Sequence, residues 1–407
     1  MKKLVMIAII LALGFSVSFA IDGSSLVNNG ISFIYPLSFT APVQKKIEKK
    51  NEDDKTVEKE FKIAKGKTLI VDLKTGGGLK ITGWDKELVN IKASIGGQDS
   101  EDLKFEFEEV ENGVKIVSSY VGNKSGWSSD CELEIMVPDK FNLSLYTMGG
   151  GIELSNIDGE MTGNTMGGQL TLERLKGNLD LKTMGGAVSL TNSDVDGHVE
   201  TMGGEVSIKD VTGSVKGHSM GGNVSYSNVT NRNGESTKEE VKIETMGGNI
   251  DVDTAPLGAD VSTMGGAIKI GSVKKYVKAK TMGGNISIMD ADGSVTANTM
   301  AGDVEVNMTG IGDDHDVKLT SMSGDITLEV PEGLSMDVSV KLTYTEGKEG
   351  KYKIISDFSL KQDESKEWDN DHGTPRKYII GTGSFNGAKN RVVIETINGN
   401  VYLKKRG

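Results

Sequence analysis

The chain has 407 residues, with 53 Gly but only 6 Pro, aromatics at 5% and a formal charge of −12. The acidic balance argues against nucleic acid and anionic membrane as partners, and a single cysteine, Cys131, excludes an internal disulfide. The length is large for one ordinary globular domain, whereas a repeat array, whose units need only their neighbours, escapes that limit.

Residues 1–20 read as a secretory signal. Lys2 and Lys3 form a basic start, Leu4 to Val17 an apolar stretch, and Ser18-Phe19-Ala20 a small-residue cleavage pattern. Its removal takes the charge from −12 to −14. No Cys follows Ala20 to carry a bacterial lipid anchor, and no later run is long and apolar enough to span a bilayer. The expected location is therefore exported: periplasmic, cell-surface or secreted. Residues 21–60 read as a flexible tether, because Lys45 to Glu60 is dense in Lys, Glu and Asp.

Period-2 alternation begins at Phe61. Leu69, Val71 and Leu73 lead into Thr75-Gly-Gly-Gly78, then Leu79 and Ile81. Further strand-like segments run at 89–94, 103–110, 114–118 and 132–137, with irregular spacing. Residues 61–140 are expected to form an irregular N-terminal β cap, since an end unit has one face with no neighbour. Cys131 shares its alternation with Leu133, Ile135 and Val137 and reads as a small buried hydrophobe.

The phrase Thr-Met-Gly-Gly, or a close variant, then recurs ten times. It starts at Thr147, Thr165, Thr183, Thr201, Ser219, Thr245, Thr263, Thr281, Thr299 and Ser321, and seven of the nine intervals are 18 residues. Counting the second Gly as position 0, the coil after Gly168 places apolar residues at positions 2, 4, 7, 11 and 13: Leu170, Leu172, Leu175, Leu179 and Leu181. In the coil after Gly186 the middle apolar residue shifts to Val195. Two short alternating runs separated by glycine corners fit strands. A flat meander of hairpins would expose long edges; a coil lets like stack on like. The fold class expected is all-β: a right-handed parallel β-solenoid of about 18 residues per coil over residues 141–340, with irregular β caps at both ends. Ten coils would extend on the order of 50 Å.

Insertions lengthen corners at residues 230–240 and 309–316 and read as solvated loops, although in repeat proteins such loops can build a binding face. Residues 341–407 are expected to form the C-terminal β cap. Within it 361–376 reads as a loop, and a final coil through Val392, Ile394, Thr396-Ile-Asn-Gly399, Val401 and Leu403 closes the stack. Lys404, Lys405 and Arg406 would blunt its last edge.

The export signal, Gly-Trp84-Asp in the cap, the Val137-Pro138 turn, and coils ending in Thr-x-Gly-Gly or Thr-x-Asn-Gly together resemble the bacterial putative-adhesin family of β-strand-repeat domains of unknown function, over roughly residues 60–407. The resemblance implies a right-handed β-solenoid on an exported protein. It brings no catalytic residues.

The candidate site residues are the repeat corners: Thr147, Met148 and Gly150; Thr165, Met166 and Gly168; Thr183, Met184 and Gly186; Thr201, Met202 and Gly204; Thr245, Met246 and Gly248; Thr263, Met264 and Gly266; Thr281, Met282 and Gly284. Thr continues the inward parity of positions 11 and 13, so its hydroxyl is expected to satisfy backbone groups at the bend. Read backward from position 2, Met points inward as a gap filler, the preferred reading; an exposed Met stripe would instead be an adhesive patch. Position 14 carries Asn164, Lys182, Glu200, His218, Glu244, Ser262, Lys280 and Asn298, a solvated ladder of mixed charge. The histidines at 198, 218, 315 and 372 lack metal-ligand spacing, and Asp313-Asp314-His315-Asp316 lacks the layout of a calcium loop. No catalytic, cofactor or metal site is expected. Between Thr147 and Leu342 the only aromatics are Tyr226 and Tyr276, so no platform for sugar rings is visible. The reading is a non-enzymatic adhesin or envelope interaction protein whose partner is an unidentified macromolecule at the cell surface. A scaffold that self-associates end to end and a carbohydrate-active enzyme stand as alternatives.

Overall fold

Alternating side chains and glycine corners every 18 residues leave the chain one way to bury its apolar face: each coil must lie on the last. The computed structural model describes residues 55–122, 126–230, 241–371 and 373–406. Among them are 32 strands and no helix, hydrogen-bonded into one sheet that is mostly parallel. The described residues fall in one compact unit, Lys50–Gly407. Parallel neighbours cannot be joined by a tight hairpin. Here the connection out of one strand ladder is a strand of the other.

Each coil contributes two strands. Leu170–Glu173 lies between Ile152–Ser155 and the first part of Val188–Thr201. Lys176–Thr183 lies between Asp158–Thr165 and the second part of Val188–Thr201. Pairing falls 18 residues apart, so Leu154, Leu172, Leu190 and Ile208 form one buried column. The core is such columns of Leu, Val and Ile between the two ladders. In the coil after Gly186, Val195 is fully buried, and the place of the missing apolar residue goes to Ser193. The Ser193 hydroxyl donates to Thr191 O at 2.7 Å and accepts from Leu175 N–H at 3.0 Å. A large side chain is matched by a small one across the core. Tyr226 stands where other coils carry Leu, Ile or Val, and its hydroxyl accepts from Gly217 N–H at 2.5 Å and donates to Val215 O at 3.1 Å. A Cβ on Gly217 would meet that oxygen and two core side chains.

The ends differ from expectation in strand order. Thr68–Leu73 and Gly78–Trp84 form an in-register coil stacked directly on Asn142–Thr147 and Ile152–Ser155. This part of 61–140 is thus array, because its inward residues repeat the array's alternation. Leu73, not Thr75, occupies the place of the repeat threonine; Thr75 instead bonds the Ser118 hydroxyl at 2.6 Å. Gly113–Tyr120 and Asp130–Pro138, later in sequence, stack outside that coil. Their far edges carry the antiparallel strands Leu103–Val110 and Val89–Gly96. Lys55–Phe61 pairs antiparallel with Val89–Gly96, so residues 55–60 are strand rather than tether: the charged run suits an outer edge strand with solvent on its exposed side.

The C-terminal end repeats the device. Asn390–Ile397 and Val401–Arg406 are inserted between the coil of Val317–Ser321 and Ile326–Pro331 and the strands Met336–Thr345 and Ile354–Ser356. The last coil in sequence is therefore internal. Lys404, Lys405 and Arg406 run past the short outer strand Ile354–Ser356, which reaches only Leu403, and pair with Glu329, Glu332 and Asp290 at 3.7, 2.7 and 3.0 Å. The end is covered by Arg376–Phe385 and then Lys361–Glu364, both antiparallel. Lys361–Glu364, expected as loop, is an exposed strand paired through its backbone, with Glu364 accepting from the Tyr344 hydroxyl and Gln362 donating to Ile354 O at 3.3 Å. The expected signal, most of the tether, residues 231–240 of the first insertion and His372 lie outside the described residues.

Candidate functional site: the repeat corner

In the corner phrase, Thr, Met and the two glycines each meet a different environment. Thr147, Thr165, Thr183, Thr201, Thr245, Thr263 and Thr281 are all buried. Each hydroxyl donates to the carbonyl of the second glycine one coil back: Thr165 to Gly150 at 2.8 Å, Thr183 to Gly168 at 2.6 Å, Thr201 to Gly186 at 2.8 Å, Thr281 to Gly266 at 2.8 Å. The same oxygen accepts from its own second glycine, as in Gly204 N–H to Thr201 at 3.1 Å. A continuous hydroxyl ladder thus satisfies donors and acceptors that the bend strips of backbone partners.

The two glycines are not equivalent. A Cβ on Gly168 would sit 2.0 Å from the Gly150 carbonyl oxygen, and the clash recurs at Gly186, Gly204, Gly248, Gly266 and Gly284 within 2.0 to 2.2 Å. Close approach of backbones, rather than positive φ, fixes these residues; Gly150 alone among them has φ of +90°. A Cβ on the first glycine meets nothing within 4 Å at Gly167. That explains Ala301 and Ser323 at this position; Asn398 there has a φ of +53°, a left-handed conformation that Asn tolerates.

The Met side chains point outward, against the preferred reading. Met148, Met166, Met184, Met202, Met246, Met264, Met282, Met300 and Met322 are 43–49% exposed, and Met220 is half-buried. The reason lies in the bend: Thr inward and the close-approaching second Gly leave the residue after Thr on the convex side. Backbone bonds hold the column in register, as in Met184 N–H to Thr165 O at 3.1 Å and Met264 N–H to Met246 O at 3.2 Å. Met166, Met184 and Met202 line a shallow groove of about 350 Å³ with Lys182 and Glu200 on its other wall. A second hollow of about 660 Å³ continues past Met148 and Tyr146. Lys182 and Glu200 are 3.4 Å apart, one coil apart at position 14.

A second polar ladder escaped the sequence reading. Position 1, just after the second glycine, is Asn223, Asn249, Asn285, Asp303, Asp325 and Asn400 in six coils. Each side-chain oxygen accepts a backbone N–H of the neighbouring coil: Asn223 from Asn249 at 2.8 Å, Asn249 from Ala267 at 2.8 Å, Asn285 from Asp303 at 2.9 Å, Asp325 from Asn400 at 2.7 Å. The recurring Gly-Asn or Gly-Asp was the available signal.

His315 is buried, and its ring contacts Asp292 Oδ1 at 3.0 Å and Asp313 O at 2.9 Å. Asn390 accepts from His315 N–H at 2.9 Å and donates to Gly312 O at 3.0 Å. The loop at 309–316 is thus pinned to the inserted coil rather than merely solvated. Among the described residues no group of three or more His, Cys, Asp or Glu is arranged to hold a metal ion. Cys131 is buried, and burial, then Asp130 and Glu132, push its thiol up to about 12. Among the described residues no helix is long and apolar enough to cross a membrane.

No family model and no curated protein matches the chain. It is similar to solved structures at low identity. One from Clostridium sporogenes, described as a putative cell adhesion protein, is 12% identical with a TM-score of 0.19, covering 86% of this chain and 100% of that one. One from Parabacteroides merdae, described as a putative adhesin, is 16% identical with a TM-score of 0.32, covering 63% and 96%. One from Parabacteroides distasonis, described as a putative lipid binding protein, is 14% identical with a TM-score of 0.31, covering 62% and 96%.

Proposed function

We propose that the chain is an exported, non-enzymatic interaction protein of adhesin type. Its right-handed β-solenoid presents the Met ladder and the groove beside it to a macromolecule at the cell envelope. The observation that carries this is the ladder itself: nine large apolar side chains, 43–49% exposed, in one line on a backbone held coil to coil. Exposed contiguous apolar surface is unusual on a protein without a partner. Flexible, polarizable Met suits contact with surfaces of varied shape.

The scaffold alternative is less well supported, because antiparallel strands lie over both ladders at the N-terminal end and over the Met336–Thr345 ladder at the C-terminal end. The outermost of them, Lys55–Phe61 and Lys361–Glu364, carry Lys and Glu on exposed edges, which discourages edge-to-edge pairing. The test is binding of the labelled chain, lacking residues 1–20, to cell-envelope fractions. Saturable binding by a monomer is expected, weakened about tenfold or more when Met166, Met184 and Met202 become Glu, as for loss of a central hot spot. Unchanged binding by that variant, filaments in sedimentation, or turnover of an acidic polysaccharide would each overturn the reading.

A further inference from the structure

A column that needs only an apolar side chain drifts. In this chain the buried column at position 4 runs Leu154, Leu172, Leu190, Ile208, Tyr226, Val252, Ile270 and Ile288. The exposed column at position 14 drifts through Asn, Lys, Glu, His and Ser. The Met column is exposed, yet it keeps Met in all ten copies of the phrase. The fold does not demand it: the flanking coils carry Lys74 and Ile397 at the same place. What Met has that Leu, Ile and Lys lack is a thioether sulfur. The retained feature is therefore the sulfur rather than apolarity.

We infer that the ladder is a binding site for soft monovalent metal ions, Cu(I) or its redox-inert analogue Ag(I). Thioether ligands select such ions, whereas carboxylate and carbonyl oxygens suit Mg, Ca and Mn. The spacing fits. Neighbouring coils lie about 4.8 Å apart, and two metal–sulfur bonds of roughly 2.3 Å, the length found for zinc thiolates, laid end to end span nearly that distance. Met has three rotatable bonds with which to close the remainder. The formal charge of −12 favours cations generally. One place adds an imidazole. His218 is half-buried two residues before Met220, so both side chains leave the chain on the outward side. Its register partners are Glu200 and Glu244, which precede Met202 and Met246 by the same two residues. His218 with Met202, Met220 and Met246 is the strongest site on the ladder. No bond is made or broken beyond coordination, and no change of oxidation state is involved.

This uses the same surface as the proposed adhesion but not the same property, and the two separate experimentally. The full chain is titrated with Cu(I) under anaerobic conditions against a coloured Cu(I) chelator, and with Zn(II) as the harder ion. The expected result is that the chain withdraws Cu(I) in preference to Zn(II). A variant with all ten ladder Met replaced by Leu should lose at least about tenfold in Cu(I) affinity, equal to 1.4 kcal/mol; His218→Asn should lose the tightest step alone. Should the Leu variant fail to fold, methyl NMR of the wild-type chain with Ag(I) decides. Shifts at the ladder methyls with Met161, Met308 and Met336 unmoved support the site. Equal uptake by a folded Leu variant, or no ladder shifts with Ag(I), overturns it.

Discussion

Adjacent glycines of one corner are expected to respond oppositely to the same substitution. In Gly168→Ala the new methyl would lie 2.0 Å from the Gly150 oxygen, 2.1 Å from its carbonyl carbon and 2.3 Å from Gly151 N. All three are backbone, so no rotamer relieves the contact. The coils must separate by roughly 1 Å to reach ordinary packing distance. That opens the Thr165–Gly150 bond of 2.8 Å and strains the Met166–Thr147 bond of 3.3 Å. Overpacking of this kind costs about 1–3 kcal/mol, and one buried unsatisfied group costs about 1–3 kcal/mol more. The sum is on the order of 2–6 kcal/mol. Gly167→Ala meets nothing within 4 Å and φ there is not left-handed, so reduced freedom of the unfolded chain should stabilise by about 0.4–1 kcal/mol. Urea unfolding followed by circular dichroism measures both, with hydrogen exchange at the amides of residues 150–186 to localise the effect, because a repeat array can open coil by coil. Equal effects from the two variants, or a neutral Gly168→Ala, would refute the close-approach account of the second glycine.

Thr183→Val removes the donor to Gly168 O and the acceptor for Gly186 N–H in a buried corner and should cost about 1–3 kcal/mol by urea midpoint. Thr183→Ser should be close to neutral, since Ser219 already makes the same bond to Gly204 at 2.7 Å. Cys131 has its thiol pushed from 9.0 to about 12, first by burial. A raised folded value means the stability it confers is complete below pH 9 and is lost as pH climbs from 9 toward 12, at up to about 1.4 kcal/mol per unit. Cys131→Ala should flatten that decline without abolishing it, because burial also raises Tyr226; an unchanged alkaline profile would count against burial as the cause. Mild peroxide on the folded chain should add one oxygen to each of the nine exposed ladder Met and spare buried Met161, Met308 and Met336, read by peptide mass spectrometry; protected ladder residues would mean the column is covered.

Period and parity made the array legible. Thr183 pairs with Thr201 and Leu172 with Leu190 because the same residues recur 18 apart, and stacking identical units is the cheapest way to satisfy all of them. Parity fails at corners, where Met sits between an inward Thr and a bend, so its direction depends on backbone geometry that no alternation encodes. Volume matching across the core, as between Tyr226 and Gly217, needs to know which strands face each other. Strand order at the ends was illegible for a related reason. Val392, Ile394, Val401 and Leu403 carry the same alternation as any other coil, so nothing local distinguishes a coil added at the end from one inserted before it.

That insertion bears on what the surface can do. By placing Asn390–Ile397 and Val401–Arg406 inside the stack, the chain leaves Met336–Thr345 outermost on its ladder and lets an antiparallel strand cover it. An antiparallel cap breaks the register a further parallel coil would need, since its hydrogen bonds run perpendicular to the strand in alternating pairs. The N-terminal end does the same with Leu103–Val110 over Gly113–Tyr120. Growth from the N-terminal end, and along the Met336–Thr345 ladder at the other, is thus opposed by the backbone pattern as well as by charge. The corner is a different case. Thr and the second glycine are bound by contacts with the neighbouring coil, the first glycine accepts Ala301 and Ser323, and only Met is both free of packing demands and unvaried through all ten copies. A residue kept where the fold does not require it points to a ligand, and here that leads to the lateral Met ladder rather than to either end.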